Sequence, residues 1–289
     1  MQTLELVADD PERLAVVNVA SVPQRSPFRY PGGKTWLVPR IRQWLRARGG
    51  PEFELIEPFA GGGIVSLTAV FEGLVRKATL VELDADIASV WHTILNGGGH
   101  WLADRIANYD LLREDVREYL SRPHHDKLEQ AFATILRNRI SRGGILAPGA
   151  GIVKNGENGK GVASRWYPQT LRRRILDIVR IRHKLRFIEG DGVAFMRVNA
   201  ARSDVLYFID PPYVAAGRRL YTHSDVDHRE LFRLAAELRG DFVMTYDSAP
   251  EITGLAAEHG FEVRHVPMKN THHQRKYEII ISRCLDWMD

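Results

Sequence analysis

The sequence has little cysteine and no long apolar run. Its single cysteine, Cys284, excludes an internal disulfide and any zinc site built on thiolates. No stretch approaches the roughly 18 apolar residues that a membrane span requires, so no membrane partner is expected. The first residues carry acids and lack a basic start followed by an apolar core, which argues against a secretory signal. These absences predict a cytoplasmic protein.

The sequence also lacks the usual patterns for metal ligands and thiol nucleophiles. The histidine pairs at 124–125 and 272–273 are adjacent rather than at metal-ligand spacing, so we predict solvated loops and no metal. Cys284 has no preceding proline and no glycine turn, and we interpret it as a core residue of the last strand. Methylation of cytosine C5, which requires an activated thiolate, is therefore excluded.

Strand-like and helical stretches alternate in two parts of the chain. The predicted strands are FELIE, ATLVELD, RFIEGD, DVLYFID, DFVMTY, FEVRHV and YEIIIS. Helical patterns between them indicate an α/β fold, with a mostly parallel sheet and helices on both faces. We predict one discontinuous sheet domain over 26–95 and 186–289, an inserted region over 96–185, and an N-terminal lead over 1–25.

Positive charge is concentrated in part of the inserted region. Residues 137–186 contain 13 Lys or Arg and two acids, a balance of +11, whereas the whole chain sums to only +4. The remainder therefore carries −7. Such asymmetry favours a polyanion partner, most simply nucleic acid, over a basic helix face that is merely solvated.

A glycine cluster, EPFAGGGIVS, follows the first predicted strand. Glu82 lies 19 residues after Gly63, the spacing at which an acid contacts ribose hydroxyls in nucleoside-binding α/β units. Ser66 replaces the third glycine of the dinucleotide pattern, so a nucleoside cofactor such as S-adenosylmethionine is favoured over a pyrophosphate. A simple strand-to-helix turn remains the alternative.

The stretch FRYPGGKT ends like a phosphate loop but does not fit one. Phe28 stands where the Walker pattern requires glycine, and no strand precedes it, so ATP hydrolysis is disfavoured. We predict instead that Lys34 meets a carboxylate, such as the methionine end of a cofactor. Tyr30 would supply a flat apolar wall.

Asp210, Pro211, Pro212 and Tyr213 end the buried run DVLYFID. Ligands of open α/β sheets bind just beyond the carboxyl ends of the strands. The prolines lack N–H donors, so this segment offers acceptors beside an aromatic ring. Asp210 and the Pro211 carbonyl would accept hydrogen bonds from an exocyclic amino group, and Tyr213 would stack on the flipped base.

These motifs resemble, in order, those of the Dam-type adenine-specific DNA methyltransferases: FRYPGGK, EPFAGGG, VELDAD and FIDPPY. The resemblance implies a Rossmann-like methyltransferase sheet, S-adenosylmethionine as cofactor and double-stranded DNA as partner, with base flipping. The resemblance leaves open whether a cognate restriction endonuclease is a further partner, and a nucleoid-associated location is expected. By position, it assigns cofactor or base contacts to Tyr30, Lys34, Phe59, Gly61, Gly63, Glu82, Asp191 and Asp210.

The sequence departs from that family at three positions. Tyr30 stands where tryptophan is frequent, and Glu82 stands where aspartate is usual; both substitutions keep the chemistry. Gly192 stands where phenylalanine often follows the acid, which would weaken stacking on the cofactor's adenine.

The inserted region would then be the target-recognition region. Its candidate DNA contacts are Arg137, Asn138, Arg139, Arg142, Lys154, Asn155, Arg165 and Trp166. Adenine N6 is the predicted target, and cytosine N4 is the alternative because the same acceptors serve either amino group. A DNA-binding protein without catalysis and a methyltransferase acting on RNA or protein glutamine are the other hypotheses.

Overall fold

The structure is a computed structural model. It describes residues 19–29, 33–111, 115–147, 149–154, 156, 159–213, 225–269 and 275–288. Seven strands occur in these residues: β1 (Glu54–Glu57), β2 (Lys77–Glu82), β3 (Leu185–Glu189), β4 (Val205–Ile209), β5 (Asp241–Asp247), β6 (Glu262–Lys269) and β7 (Arg275–Ser282). The α-helices are α1 (Val38–Ala47), α2 (Ile64–Phe71), α3 (Ala85–Leu95), α4 (Gly99–Asn108), α5 (Val116–Ser121), α6 (Lys127–Ile140), α7 (Pro168–Ile181), α8 (Gly192–Asn199), α9 (His228–Glu237) and α10 (Pro250–Glu258).

The strands form one sheet in the order β3-β2-β1-β4-β5-β7-β6. Strands β1 to β5 pair in parallel, and β7 runs antiparallel between β5 and β6. The strand order reverses between β1 and β4, the switch point outside which open α/β sheets bind their ligands. The predicted mostly parallel, Rossmann-like sheet is confirmed.

Helices cover both faces of the sheet. Strand β4 is buried along its whole length, as expected for a central strand with helices on either side. Leu206 and Phe208 pack with the helices α1 to α4, whereas Val205, Tyr207 and Ile209 pack with α8, α9 and α10. This alternation follows from the two-residue period of a strand, and it confirms the two-faced arrangement.

The inserted helices share a buried core with the sheet. Helix α6 packs on α3, and α7 packs on α4. Phe132 of α6 and Ile175 of α7 belong to the same buried cluster as Leu80 of β2. The insertion therefore lies against the sheet, between β2 and β3 in the chain as predicted; its boundary as a separate recognition region stays a prediction.

One predicted position is wrong. Cys284 does not lie in the last strand, because β7 ends at Ser282, and its side chain is half-buried. Within the described part of the chain, no helix combines the length and the apolar character that crossing a membrane requires.

Candidate active site

A cavity of about 1030 Å³ lies at the carboxyl ends of the central strands. It brings together most of the predicted site residues: Lys34, Phe59, Gly63, Glu82, Asp191, Asp210 and Pro212. Gly61 lies in the same turn as Gly63, and Tyr30 lies outside the described residues. Motifs far apart in the chain therefore meet at the switch point of the sheet.

The glycine turn between β1 and α2 is held tightly. Gly63 has a φ of +61°, and a Cβ atom there would lie 2.7 Å from the Leu80 side chain and 2.9 Å from Trp91. The backbone N–H of Gly61 donates to Glu82 at 2.8 Å, and the Trp91 indole N–H donates to the Gly61 carbonyl at 2.9 Å. The backbone can thus approach a ligand closely at the start of α2.

Glu82 ends β2 with its carboxylate fixed by backbone donors. One oxygen accepts from Gly61, and the other accepts from the N–H groups of Leu83 and Asp84, each at 2.9 Å. Burial raises the pKa of this carboxyl, and the nearby Asp84 adds to the shift, whereas the backbone donors oppose it. The one remaining lone pair, on the oxygen that accepts from Gly61, makes Glu82 an acceptor for a hydroxyl group.

Asp191 caps α8 by accepting from the N–H of Ala194 at 3.0 Å, and its exposed side chain lines the cavity. The next residue, Gly192, lies very close to the backbone of Pro58. A Cβ atom on Gly192 would lie 2.0 Å from the carbonyl oxygen of Pro58. This contact explains why glycine, rather than phenylalanine, follows the acid here.

Asp210 follows β4 and is held by two partners. Its Oδ2 lies 2.8 Å from Nζ of Lys34, and its Oδ1 accepts from the hydroxyl of Thr245 at 2.7 Å. Lys34 is only 3% exposed, and its Nζ also lies 3.7 Å from Glu278. The carboxylate that Lys34 meets in this structure is therefore that of Asp210, and its pairing with a cofactor carboxylate stays a prediction.

Glu278 and Thr245 were missed from the sequence. Burial raises the pKa of Glu278, with Lys34 opposing the shift and Asp210 adding to it. The only sequence signal was an acid at the start of the apolar run YEIIIS. Strand β7 places that acid beside Asp210, which the local pattern could not show.

Tyr213 supports this acidic cluster. Its hydroxyl donates to Glu278 at 2.8 Å, and its ring stacks on Tyr246 with centroids 5.8 Å apart. The Nζ of Lys34 lies 5.0 Å from the ring centroid. Neither Tyr213 nor the buried Pro211 is among the residues that line the cavity. Stacking of Tyr213 on a base stays a prediction, and it would require the ring to turn towards the cavity.

A second buried acid, Glu57 at the end of β1, contacts the first turn of α2. It accepts from both the backbone N–H and the hydroxyl of Ser66, the residue at the place of the third glycine. Burial raises its pKa to about 8, opposed by the bonds from Ser66 and, more weakly, by Lys34, while Asp210 adds to the shift. Ser66 is thus a structural partner of this acid.

Glu57 should make stability depend on pH. Between the ordinary carboxyl pKa of 4.5 and about 8, the unfolded chain releases the proton that the folded chain keeps, so stability falls as pH rises. Because glutamine resembles the protonated acid, Glu57→Gln should match the wild type near pH 5 and melt at a higher temperature near pH 8. Thermal melts across this range test it, and parallel melting curves for both proteins would contradict it.

The predicted DNA contacts of the insertion divide into two groups. Arg142 and Lys154 are exposed, Arg137 pairs with Asp86 at 3.0 Å, and Arg165 lines the cavity. Asn155 lies outside the described residues.

The other three candidates are buried. Asn138 bonds to the backbone of Arg29 and to the Gly144 carbonyl, and Trp166 packs in the core, so the predicted DNA contact must be corrected for these two side chains. Arg139 donates to the Pro27 carbonyl and also lines the cavity, so it lies in a pocket and its DNA contact stays a prediction.

In the comparison with known proteins, one family model matches part of the chain. The model of the D12 class N6 adenine-specific DNA methyltransferases matches residues 30–139. No curated protein matches the chain. A solved candidate RNA methyltransferase from Pyrococcus horikoshii has a TM-score of 0.43 and 11% identity, covering 91% of this chain and 92% of that one. The rRNA methyltransferase aviRa from Streptomyces viridochromogenes has a TM-score of 0.39 and 17% identity, covering 96% and 94%.

Proposed function

We propose that the protein methylates the exocyclic N6 of adenine in double-stranded DNA, because the model of the D12 class N6 adenine-specific DNA methyltransferases matches residues 30–139. The methyl donor would be S-adenosylmethionine. The observation that supports the proposal most directly is the fixed carboxylate of Asp210 in a cavity that also contains Glu82 and Asp191. The alternative target is the amino group of cytosine N4.

The residues of the cavity fit S-adenosylmethionine. The space that a Cβ atom on Gly63 would meet is already filled by Leu80 and Trp91, so only glycine lets the backbone turn there beside a ligand. Glu82 would accept a hydrogen bond from a ribose hydroxyl, and Asp191 would accept one from the adenine amino group. Phe59 and Val193 line the same cavity and would contact the adenine ring. When bound, the cofactor supplies an electrophilic methyl group on a sulfonium.

The size of the cavity leaves room for a second ligand. Sites for one small molecule have volumes of about 300–1000 Å³, and this cavity reaches the upper end of that range. A target base buried in a duplex cannot reach Asp210, so the base would be extruded into the remaining space.

Asp210 would activate the amino nitrogen. A carboxylate oxygen has two lone pairs, so after bonding to Lys34 and Thr245, each oxygen of Asp210 can accept one more hydrogen bond. An amino group that donated to Asp210 would have its nitrogen lone pair drawn out of conjugation with the ring. The nitrogen lone pair would then be available for the methyl group that the bound cofactor supplies, and the nitrogen would release one proton to solvent.

Lys34 and Thr245 would act as positioning residues for Asp210. Lys34 balances the negative charge of Asp210 and Glu278, and the hydroxyl of Thr245 fixes the orientation of the carboxyl plane. A group held in this way needs no reorganisation during the reaction, which is the main source of electrostatic catalysis.

Nucleoside analysis tests the proposal. We expect N6-methyladenine after incubation of the purified protein with unmethylated genomic DNA and S-adenosylmethionine, measured by mass spectrometry of the digested DNA. A product containing only N4-methylcytosine would replace adenine with cytosine as the target. DNA binding without any methylated nucleoside would favour the non-catalytic alternative.

A further inference from the structure

Besides Arg165, three arginines that the catalytic proposal does not use line the cavity. Arg29 lies in the segment before Lys34, Arg139 lies in the last turn of α6, and Arg174 lies on α7. They reach the cavity from three separate elements, and they share it with Asp210.

Arg139 is buried, Arg29 and Arg174 are half-buried, and two of the three guanidinium groups are incompletely bonded. Arg139 is 5% exposed; it donates to the Pro27 carbonyl, but its Nε has no partner. Arg29 has a buried Nη1 without a partner, and Arg174 donates to the Ser26 carbonyl at 3.1 Å. A buried donor without an acceptor is costly, so Arg29 and Arg139 each have a donor that a ligand with acceptor oxygens would satisfy.

The positive charge of this cluster is also unbalanced. In the described part of the chain, no carboxylate lies within ion-pair distance of Arg29, Arg139 or Arg174. Burial lowers the pKa of Arg139 to about 9, and the charges of Arg174 and Arg29 add to the shift. All three therefore remain charged at neutral pH, and an anion would relieve their mutual repulsion.

An exposed aromatic ring lies beside the arginines. Tyr167, just before α7, is 51% exposed and lines the same cavity. Arg173, the residue before Arg174 on α7, is exposed, and its positive charge lies close enough to act on Arg174. Arginine beside an exposed aromatic ring fits a nucleic acid strand, in which phosphates alternate with stacking bases.

We propose that Arg29, Arg139 and Arg174 bind a backbone phosphate of the DNA strand that carries the target base, while Tyr167 stacks on a neighbouring base. This inference rests on the proposed function, because it concerns how the DNA enters that cavity. It adds Arg29, Arg174 and Tyr167 to the proposed DNA contacts. The buried Arg139 would contact DNA inside the cavity rather than on the protein surface.

The other anion available to the site is the carboxylate of the cofactor. S-adenosylmethionine carries one carboxylate, one ammonium and one sulfonium, so its net charge at neutral pH is positive. Three unbalanced guanidinium groups would repel such a molecule as a whole. A phosphodiester has a net negative charge and several acceptor oxygens, which match the fork of donors on arginine.

Binding measurements on Arg174→Gln test the site. A fluorescein-labelled duplex of random sequence is titrated by anisotropy at several salt concentrations, and S-adenosylmethionine is titrated by calorimetry. We expect DNA affinity to fall about tenfold and the salt slope to fall by about 1. Affinity for S-adenosylmethionine should change less than about twofold.

Two further variants make the test specific. Arg180→Gln is the matched control, because Arg180 lies on the same helix, pairs with Asp177 at 2.9 Å and does not line the cavity; its DNA affinity should stay close to that of the wild type. Tyr167→Ala changes an exposed side chain without loss of a buried contact and should weaken DNA binding about fivefold or more, whereas Tyr167→Phe should not.

The outcomes separate this inference from the proposed function. If the wild type methylates DNA while Arg174→Gln and Tyr167→Ala bind DNA normally, the phosphate site is refuted and the function stands. A loss confined to S-adenosylmethionine affinity would assign the arginines to the cofactor carboxylate and overturn the inference. If the wild type binds DNA but yields no methylated nucleoside, the proposed function fails, and the variants still test the phosphate site.

Discussion

Asp210→Asn should reduce methyl transfer about 10³-fold while leaving affinity for S-adenosylmethionine nearly unchanged. Asparagine keeps the shape of the side chain and one acceptor oxygen, but it loses the negative charge that faces Lys34 at 2.8 Å. The effect falls on the transition state, because the amino group needs its acceptor most as the nitrogen becomes bonded to carbon. Single-turnover kinetics with labelled methyl donor measure the rate, and calorimetry measures cofactor binding.

Asp227→Asn is the matched control for this variant. Asp227 lines the same cavity, and it caps α9 by accepting from the N–H of Glu230 at 3.0 Å. Asparagine caps helices as well as aspartate does, so transfer should stay within about threefold of the wild type. Near-normal turnover by Asp210→Asn, or an equal loss in both variants, would contradict the role given to Asp210.

Melting temperatures separate catalysis from folding. Asp210→Asn removes the carboxylate that lies 2.8 Å from Nζ of the buried Lys34, so some loss of stability is expected. The double variant Lys34→Met with Asp210→Asn removes the unbalanced charge. It should regain stability without regaining methyl transfer, which would show that the lost activity is not a folding defect.

The strands and the cofactor motifs could be predicted because their signals are local. The run from Val205 to Ile209 is apolar, and an acid and two prolines end it, so both the strand and the ligand edge can be read from adjacent residues. The glycine turn and Glu82 likewise lie on consecutive β–α units. The rule that ligands bind at the carboxyl ends of parallel strands then places these motifs together.

The position of Glu278 in this site could not be predicted because it depends on long-range pairing of strands. Strand β7 is last in the chain but inserts between β5 and β6, with Glu278 opposite Asp247. That antiparallel register brings Glu278 to Lys34 and Tyr213. Nothing in the sequence near Glu278 specifies which strand it will face, since an acid in an apolar run is equally consistent with an exposed edge.

Some of the DNA contacts were predicted incorrectly because a count of charged residues does not show which way each side chain points. Arg137 and Arg139 lie two positions apart on α6, so their side chains point about 200° apart around the helix. Arg137 consequently reaches Asp86 at a partly exposed position, whereas Arg139 points into the protein. Counting both as surface charges overstated the docking surface and concealed the buried arginine cluster.

Gly192→Ala should destabilise the protein by about 2–4 kcal/mol and weaken cofactor binding. The new Cβ atom would lie 2.0 Å from the carbonyl oxygen and 2.8 Å from the carbonyl carbon of Pro58. Both are backbone atoms, so relief requires moving either α8, which carries Asp191, or the chain that leads to Phe59. Either movement displaces a predicted wall of the cofactor site. Denaturant unfolding measures the first effect, and calorimetry measures the second.

Gly190→Ala provides the control on the other side of Asp191. A Cβ atom there would meet only the Ile188 side chain, at 4.0 Å, so stability should change by no more than about 0.5 kcal/mol. Gly192→Phe, which installs the residue frequent in the related enzymes, should be at least as damaging as Gly192→Ala. If Gly192→Ala were as stable as Gly190→Ala, the close contact with Pro58 could not be the reason for glycine, and Asp191 would have to be placed differently.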